Sequence, residues 1–179
     1  MTPLMERFVL HWGEMGSRWG VNRSVSQIHA LLFVLARPTD ADEIAETLQL
    51  ARSNVSTGLK ELQAYGLVKR VPRVGDRKDR FEALGSPWDM FLQIVEMRRQ
   101  REVQPTLEAL RALVEDAAGD KDTPQAIKQR IGELHRFGED LDRWYREIRR
   151  LPVGTLKLLL RMGAKIAHLI PGGKTSGRE

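Results

Sequence analysis

Between Leu50 and Phe81 the chain reads LARSNVSTGLKELQAYGLVKRVPRVGDRKDRF, and this stretch concentrates two kinds of chemistry. Ser53, Asn54, Ser56 and Thr57 gather hydroxyls and a side-chain amide within little more than one helical turn, with Arg52 before them and Lys60 after. Hydroxyls and amides bond base edges or phosphates, whereas Arg and Lys mainly supply phosphate attraction and groove insertion. At about 100° per residue, Val55, Leu59 and Leu62 fall on one side of a helix with Gly58 and Tyr65 beside them. Ser53, Thr57, Lys60 and Ala64 fall opposite, with Asn54 and Ser56 on the flanks. Short side chains near the helix start would let the backbone approach base edges closely. A burst of charge follows, with Arg73, Arg77, Lys78 and Arg80 set around a Gly75-Asp76 turn. From Arg52 to Arg80 eight basic residues face three acidic ones, an excess that equals the net +5 of the whole 179-residue chain. Asp76 and Asp79 are expected to hold the turn or orient an arginine. The plain alternative is a solvated helix face with a charged hairpin. The order of short helix, polar-faced helix and basic hairpin favours duplex DNA.

The elements that must position these groups are mostly helical. Leu4, Phe8, Trp12, Met15 and Trp19 recur at helical spacing and predict a first helix ended by Gly20. A second helix, capped by Ser24, is expected to bury Ile28, Leu31, Leu32 and Leu35 and to stop before Pro38. Thr39 and Asp42 resemble a capping box that opens a short helix packing Ile44, Ala45 and Leu48. The polar-faced helix then runs from about Arg52 to Tyr65, with Gly66 as its left-handed terminator, and LVKRV is expected to pair with Phe81–Leu84 as a small hairpin. Ser86 and Pro87 suit the start of a long helix through Trp88, Phe91, Leu92 and Val95, which Pro105 either kinks or breaks. Leu107, Leu110 and Leu113 continue the pattern beyond it, as far as a connector, GDKDTP. Ile127, Ile131, Leu134, Gly138, Leu141, Tyr145 and Ile148 then form a coiled-coil-like seam that wants a partner helix. A last amphipathic segment is expected from about Val153 to Ile170, followed by a disordered tail over residues 171–179.

ADEIAETLQLARSNVSTGLKELQAYGLVKRV followed by GDRKDRFEA resembles the winged helix-turn-helix of the MarR superfamily, and NVSTGLKELQAYGLV is especially similar to its GbsR branch. The likeness is strongest from Ala41 to Ala83 and extends more loosely back to Trp19. It implies a mainly α fold: a winged helix-turn-helix with a small β-hairpin wing over residues 1–85, long helices for dimerisation over 86–170, and a first helix that can join the dimer interface. It also implies a dimeric, cytoplasmic transcriptional regulator, usually a repressor. Carried over, Ser53, Asn54, Ser56, Thr57 and Lys60 take the recognition-helix positions, and Arg77 and Lys78 the wing tip. The candidate DNA-binding set is therefore Arg52, Ser53, Asn54, Ser56, Thr57, Lys60, Arg73, Arg77, Lys78 and Arg80, and the partner a pseudo-palindromic double-stranded operator. Ala51 departs from the family where Ser or Thr commonly caps the recognition helix, and Ser53 where glycine is frequent.

The remaining chemistry is sparse. There is no cysteine, which excludes disulfides, thiolate metal sites and cysteine nucleophiles. His11, His29, His135 and His168 sit on four separate segments without zinc spacing, and no nucleophile motif, phosphate loop or dinucleotide fingerprint is present. An enzyme is the least supported class, and no cofactor or metal is expected. The opening residues do not read as a signal peptide, and Arg161 and Lys165 break the last apolar run too early for a membrane span. Trp12, Trp19, Trp88 and Phe91 could hold a small effector; their faces suit a quaternary ammonium, a class to which some GbsR-like regulators respond. The stripe that includes Phe8, Trp12, Met15 and Trp19 reads first as core or dimer interface. Dimerisation is expected to use Ile127, Ile131, Leu134, Leu141, Tyr145 and Ile148. The basic C-terminal segment favours subunit packing over an anionic membrane surface. The competing function is a protein-interaction or membrane-surface adaptor whose winged helix does not read DNA.

Overall fold

The structure, a computed structural model, describes residues 1–72 and 78–163. Two compact units are present, Met1–Arg99 and a second beginning at Gln100. The first unit includes α5 (Pro87–Arg98), whose Met90 and Ile94 pack on its core.

In the first unit, α1 (Pro3–Arg18) and α2 (Arg23–Leu35) lead into a short strand β1 (Thr39–Asp40), then α3 (Ala41–Leu48) and α4 (Arg52–Ala64). Strands β2 (Val68–Val71) and β3 (Arg80–Ala83) follow, and α5 closes the unit. The sheet is antiparallel in the order β1-β3-β2, with Thr39 opposite Phe81 and Arg70 opposite Phe81 on the other side. Sequence reading anticipated only the β2–β3 hairpin. Thr39 adds the third strand, and its hydroxyl donates to the Arg37 carbonyl at 3.1 Å. It therefore does not cap α3. Asp40 does, its Oδ1 accepting from the amides of Asp42 and Glu43 at 3.0 and 2.9 Å. Likewise Asn22, not Ser24, caps α2, its Oδ1 accepting from the Ser24 amide at 2.8 Å. In both helices the cap passes from a Ser or Thr hydroxyl to an Asn or Asp within two residues, a side chain equally suited to the role.

The core lies where α2 is enclosed. Ile28, Leu31 and Leu32 of α2 meet Ile44 of α3, Val55, Leu59 and Leu62 of α4, and Leu67, Val68 and Phe81 from the sheet side. Each such side chain contributes about 1.5–3 kcal/mol by leaving water. Gly66 terminates α4 with φ 65°, and the Leu67 amide reaches back to the Leu62 carbonyl at 2.9 Å, which turns the chain into β2.

The α1 stripe lies only partly inside, with Phe8 and Trp12 packed on the core. Val9, Gly13 and Gly16 are the buried residues, Phe8, Trp12 and Met15 are half-buried, and Leu4 and Trp19 are 73% and 52% exposed. The reason is close helix approach: a Cβ on Gly16 would lie 1.9 Å from Ser26 Oγ and 2.6 Å from its Cβ. The face that packs is thus the one with the smallest side chains, which a hydrophobicity pattern overlooks. Gly16→Ala is expected to destabilise the fold by about 1–3 kcal/mol despite alanine's better helix propensity, because α1 must back away from α2. Urea denaturation would check this; an unchanged midpoint would mean that Ser26 yields without cost.

In the second unit, α6 (Gln104–Gly119) and α7 (Gln125–Arg149) pack as a helical hairpin, followed by α8 (Val153–Met162). A wide π turn over Arg99–Val103 precedes α6, and Pro105 sits in its first turn. Pro105 thus falls where no intrahelical N–H bond is needed of it, and a π turn separates the two helical runs. Lys128 donates to the Ala117 carbonyl at 3.0 Å, satisfying the end of α6, and Asp120 orders the connector through the amides of Asp122 and Thr123. Among the described residues no helix is long and apolar enough to cross a membrane. The segment from residue 164 to Ile170 and the tail lie outside the described residues.

Candidate nucleic-acid interface

Helix α4 is built with two faces. Val55, Gly58, Leu59 and Leu62 are buried, and a Cβ on Gly58 would come within 2.8 Å of Ile28 Cδ1, so α4 lies tightly against α2. Arg52, Ser53, Asn54, Thr57 and Lys60 are exposed, while Ser56 is half-buried beside a shallow hollow that Gln63, Arg70 and Phe81 also line. The anticipated polar face is thus assembled, with Ser56 nearer the sheet than the rest. Ala51 makes no side-chain cap, so the first-turn amides of α4 receive no side-chain hydrogen bond from it.

The cations around this face are organised by carboxylates. Asp42, in the first turn of α3, accepts from Arg52 Nε at 2.7 Å through Oδ1 and from Lys78 Nζ at 2.9 Å through Oδ2. The hydrogen bond from Lys78, and then that from Arg52, hold the Asp42 carboxyl below the usual carboxylate range. On the wing strands Lys69 pairs with Glu82 at 2.7 Å and Arg70 pairs with Asp79. Asp79 therefore orients an arginine, one of the two roles its place in the sequence suggested. Arg80 is half-buried at the start of β3. Lys60 forms no ion pair among the described residues. Arg73, Arg77 and the Gly75-Asp76 turn lie outside the described residues. Sequence reasoning missed Asp42, whose spacing from Thr39 had suggested a cap, and it missed Arg70 and Gln63 beside the face.

The aromatic candidates do not form one site. Trp12 and Trp19 line a cleft of the first unit with His29, Tyr65, Met97 and Arg98, whereas Trp88 and Phe91 form a separate edge-to-face pair 6.1 Å apart. Phe91 is 54% exposed. His29 is the unforeseen member of the cleft: its ring centroid lies 6.5 Å from that of Trp12, and its Nε2 is buried without a hydrogen-bond partner. Burial pushes its pKa down to about 4.

On α7 the expected seam divides between two sides. Ile131, Tyr145 and Ile148 are half-buried, and Gly138 faces α6, where a Cβ would meet Leu107 at 2.5 Å. Ile127, Leu134 and Leu141 remain exposed, joined by Phe137 and Trp144, which sequence reading had not included. The half-buried Ile131, Gly138 and Tyr145 form one seven-residue column of the seam and the exposed Ile127, Leu134 and Leu141 the other. Gly138, taken as a small layer in a subunit seam, instead admits α6.

Residues 19–79 match the model of the MarR family. Over that segment the chain is similar to the MarR family. It is similar to the HTH-type transcriptional repressor GbsR of Bacillus subtilis (strain 168), being 29% identical over 140 residues, which cover 74% of this chain and 75% of that one. A solved structure described as the crystal structure of a transcriptional regulator shares the fold, with a TM-score of 0.64 at 18% identity, covering 81% of this chain and 95% of that one. The three-stranded sheet with α3 and α4 forms a winged helix within a mainly helical chain. Both of these similar proteins are described as transcriptional regulators.

Proposed function

We propose that this protein is a MarR-type, cytoplasmic, homodimeric repressor that binds a pseudo-palindromic DNA operator, laying α4 of each subunit in successive major grooves. The observation that carries the reading is the two-faced α4: Val55, Gly58, Leu59 and Leu62 fix the helix in the core, while Arg52, Ser53, Asn54, Thr57 and Lys60 stand exposed. Twofold docking sets half-sites about one helical turn apart, roughly 34 Å centre to centre. The exposed apolar face of α7 supplies a surface for the second subunit. Repression is inferred from the likeness to GbsR.

The assignment separates positioning from reading. Asn54→Ala and Thr57→Ala are expected to cost about 1–3 kcal/mol on the operator and little on random duplex, because a base contact is lost. Lys60→Ala or Arg77→Ala should instead weaken binding to both and flatten the slope of log K against log salt by about 0.9, because one fewer counterion is released. Binding over a salt series on both duplexes, with circular dichroism as a check of folding, decides it. An unchanged operator-to-random ratio in Asn54→Ala and Thr57→Ala would mean that the polar face is merely solvated.

An effector reading is favoured at the cleft of Trp12, Trp19 and His29 over the Trp88–Phe91 pair, because the unpartnered Nε2 of His29 lies there. A bound molecule could satisfy that atom while packing on the indoles.

A further inference from the structure

We propose that Asp42 is a built-in competitor of DNA phosphate: its carboxylate holds Arg52 of the reading helix and Lys78 of the wing, and yields them when a backbone phosphate takes its place. The inference rests on the DNA-binding reading above.

Three observations carry it. One carboxylate spends its two oxygens on two cations from different elements, one at the first residue of α4 and one just before β3. That is the arrangement a phosphate would adopt between a recognition helix and a wing. The contacts are not needed to hold the fold, since all three side chains are more than half exposed and exposed pairs add little stability. Nor does α3 need this carboxylate for its start, because Asp40 already binds the amides of Asp42 and Glu43. Held below the usual carboxylate range by Lys78 and Arg52, Asp42 keeps its charge at neutral pH.

The energetic consequence follows from ion exchange. When Arg52 and Lys78 move to phosphate, the vacated carboxylate gathers a cation from solution, so the complex forms with one fewer net counterion released. The penalty is independent of base sequence. It lowers affinity for every duplex equally and leaves stable occupancy to sites where base contacts add to the phosphate contacts.

The test uses the full-length protein on the selected operator and on random duplex over a salt series. Asp42→Asn is expected to steepen the log K against log salt slope by about 0.9 on both, which is about tenfold tighter binding at 0.1 M salt counted from 1 M. The operator-to-random ratio should stay the same. Glu43→Gln removes an equal charge from the same turn of α3, but its partner is Arg37, outside the proposed reading set, and it should change the slope far less. Lys78→Ala should cost more in the Asp42→Asn background than in the natural chain, whereas Lys60→Ala should cost the same in both. Weaker or unchanged binding by Asp42→Asn, or an equal effect of Glu43→Gln, overturns the role of Asp42 while the DNA reading stands. If the natural chain shows no salt-dependent duplex binding at all, the DNA reading itself fails and the competitor role goes with it.

Discussion

Leu141→Asp is expected to turn the protein into a folded monomer that no longer holds its operator. Leu134 and Leu141 are 55% and 49% exposed on α7, so a carboxylate there costs the isolated subunit little. In a twofold dimer the same substitution buries an unpaired charge, at about 3–5 kcal/mol for each, and symmetry places two copies at the contact. Since about 1.4 kcal/mol is a factor of ten, even one such charge weakens association by about two to three and a half powers of ten. Operator binding falls with it, because each subunit then docks on a half-site alone. Sedimentation velocity and gel shift on Leu134→Asp and Leu141→Asp, beside circular dichroism, measure all three quantities. Unchanged sedimentation of both variants would show that this face of α7 is not a subunit contact.

Acidification from pH 6.5 to pH 4 is expected to remove about 3 kcal/mol of stability through His29 alone. Its pKa in the folded chain is about 4, against 6.5 for an ordinary imidazole, because burial disfavours the charged ring. The unfolded chain therefore takes up a proton in a range where the folded chain does not. Stability from this group is complete above pH 6.5 and drains away as pH falls toward 4, at up to 1.36 kcal/mol for each unit. Asp42 and Asp120, both held below the ordinary carboxylate value, titrate under this window and do not mimic it. Urea denaturation of the natural chain and of His29→Leu at pH 7.5, 5.5 and 4.5 isolates the effect as a difference of slopes. Parallel pH curves for the two proteins would show that His29 is solvated.

Much of this molecule could be read from its residues. The polar face of α4, the glycine that ends it, the wing strands and the Ser86 cap all follow from local chemistry: periodicity of 3.6, a left-handed position, two short runs flanking a Gly-Asp turn, and a serine ahead of proline. What escaped depends on distance along the chain. Asp42 meets Lys78 across thirty-six residues, and no spacing rule connects them. β1 exists because two residues, Thr39 and Asp40, find an open edge of β3. Trp12 and Trp19 join His29 and Tyr65, not Trp88 and Phe91, because α1 is turned by the contact of Gly13 and Gly16 with α2. Small residues carry no hydrophobic signal, yet they decide which face of a helix goes inside. On α7 the pattern identified an apolar helix correctly but could not apportion its residues between α6 and the outer face, since both sides present aliphatic groups.

The division of labour along α4 has an evolutionary consequence. The residues that anchor the helix, Val55, Gly58, Leu59 and Leu62, share no position with those that face outward, Ser53, Asn54, Thr57 and Lys60. Substitutions at the outward positions leave the packing against Ile28 untouched, so a duplicated copy of this chain can drift to a new target without first becoming unstable. Gly58 is less free to join that drift, because a Cβ there comes within 2.8 Å of Ile28 Cδ1, which must turn aside in the core. Vocabulary is thus free to change where grammar is fixed, and on the proposed reading of α4 as the DNA-contacting helix a handful of exposed side chains is enough to redirect such a protein to a different stretch of a genome.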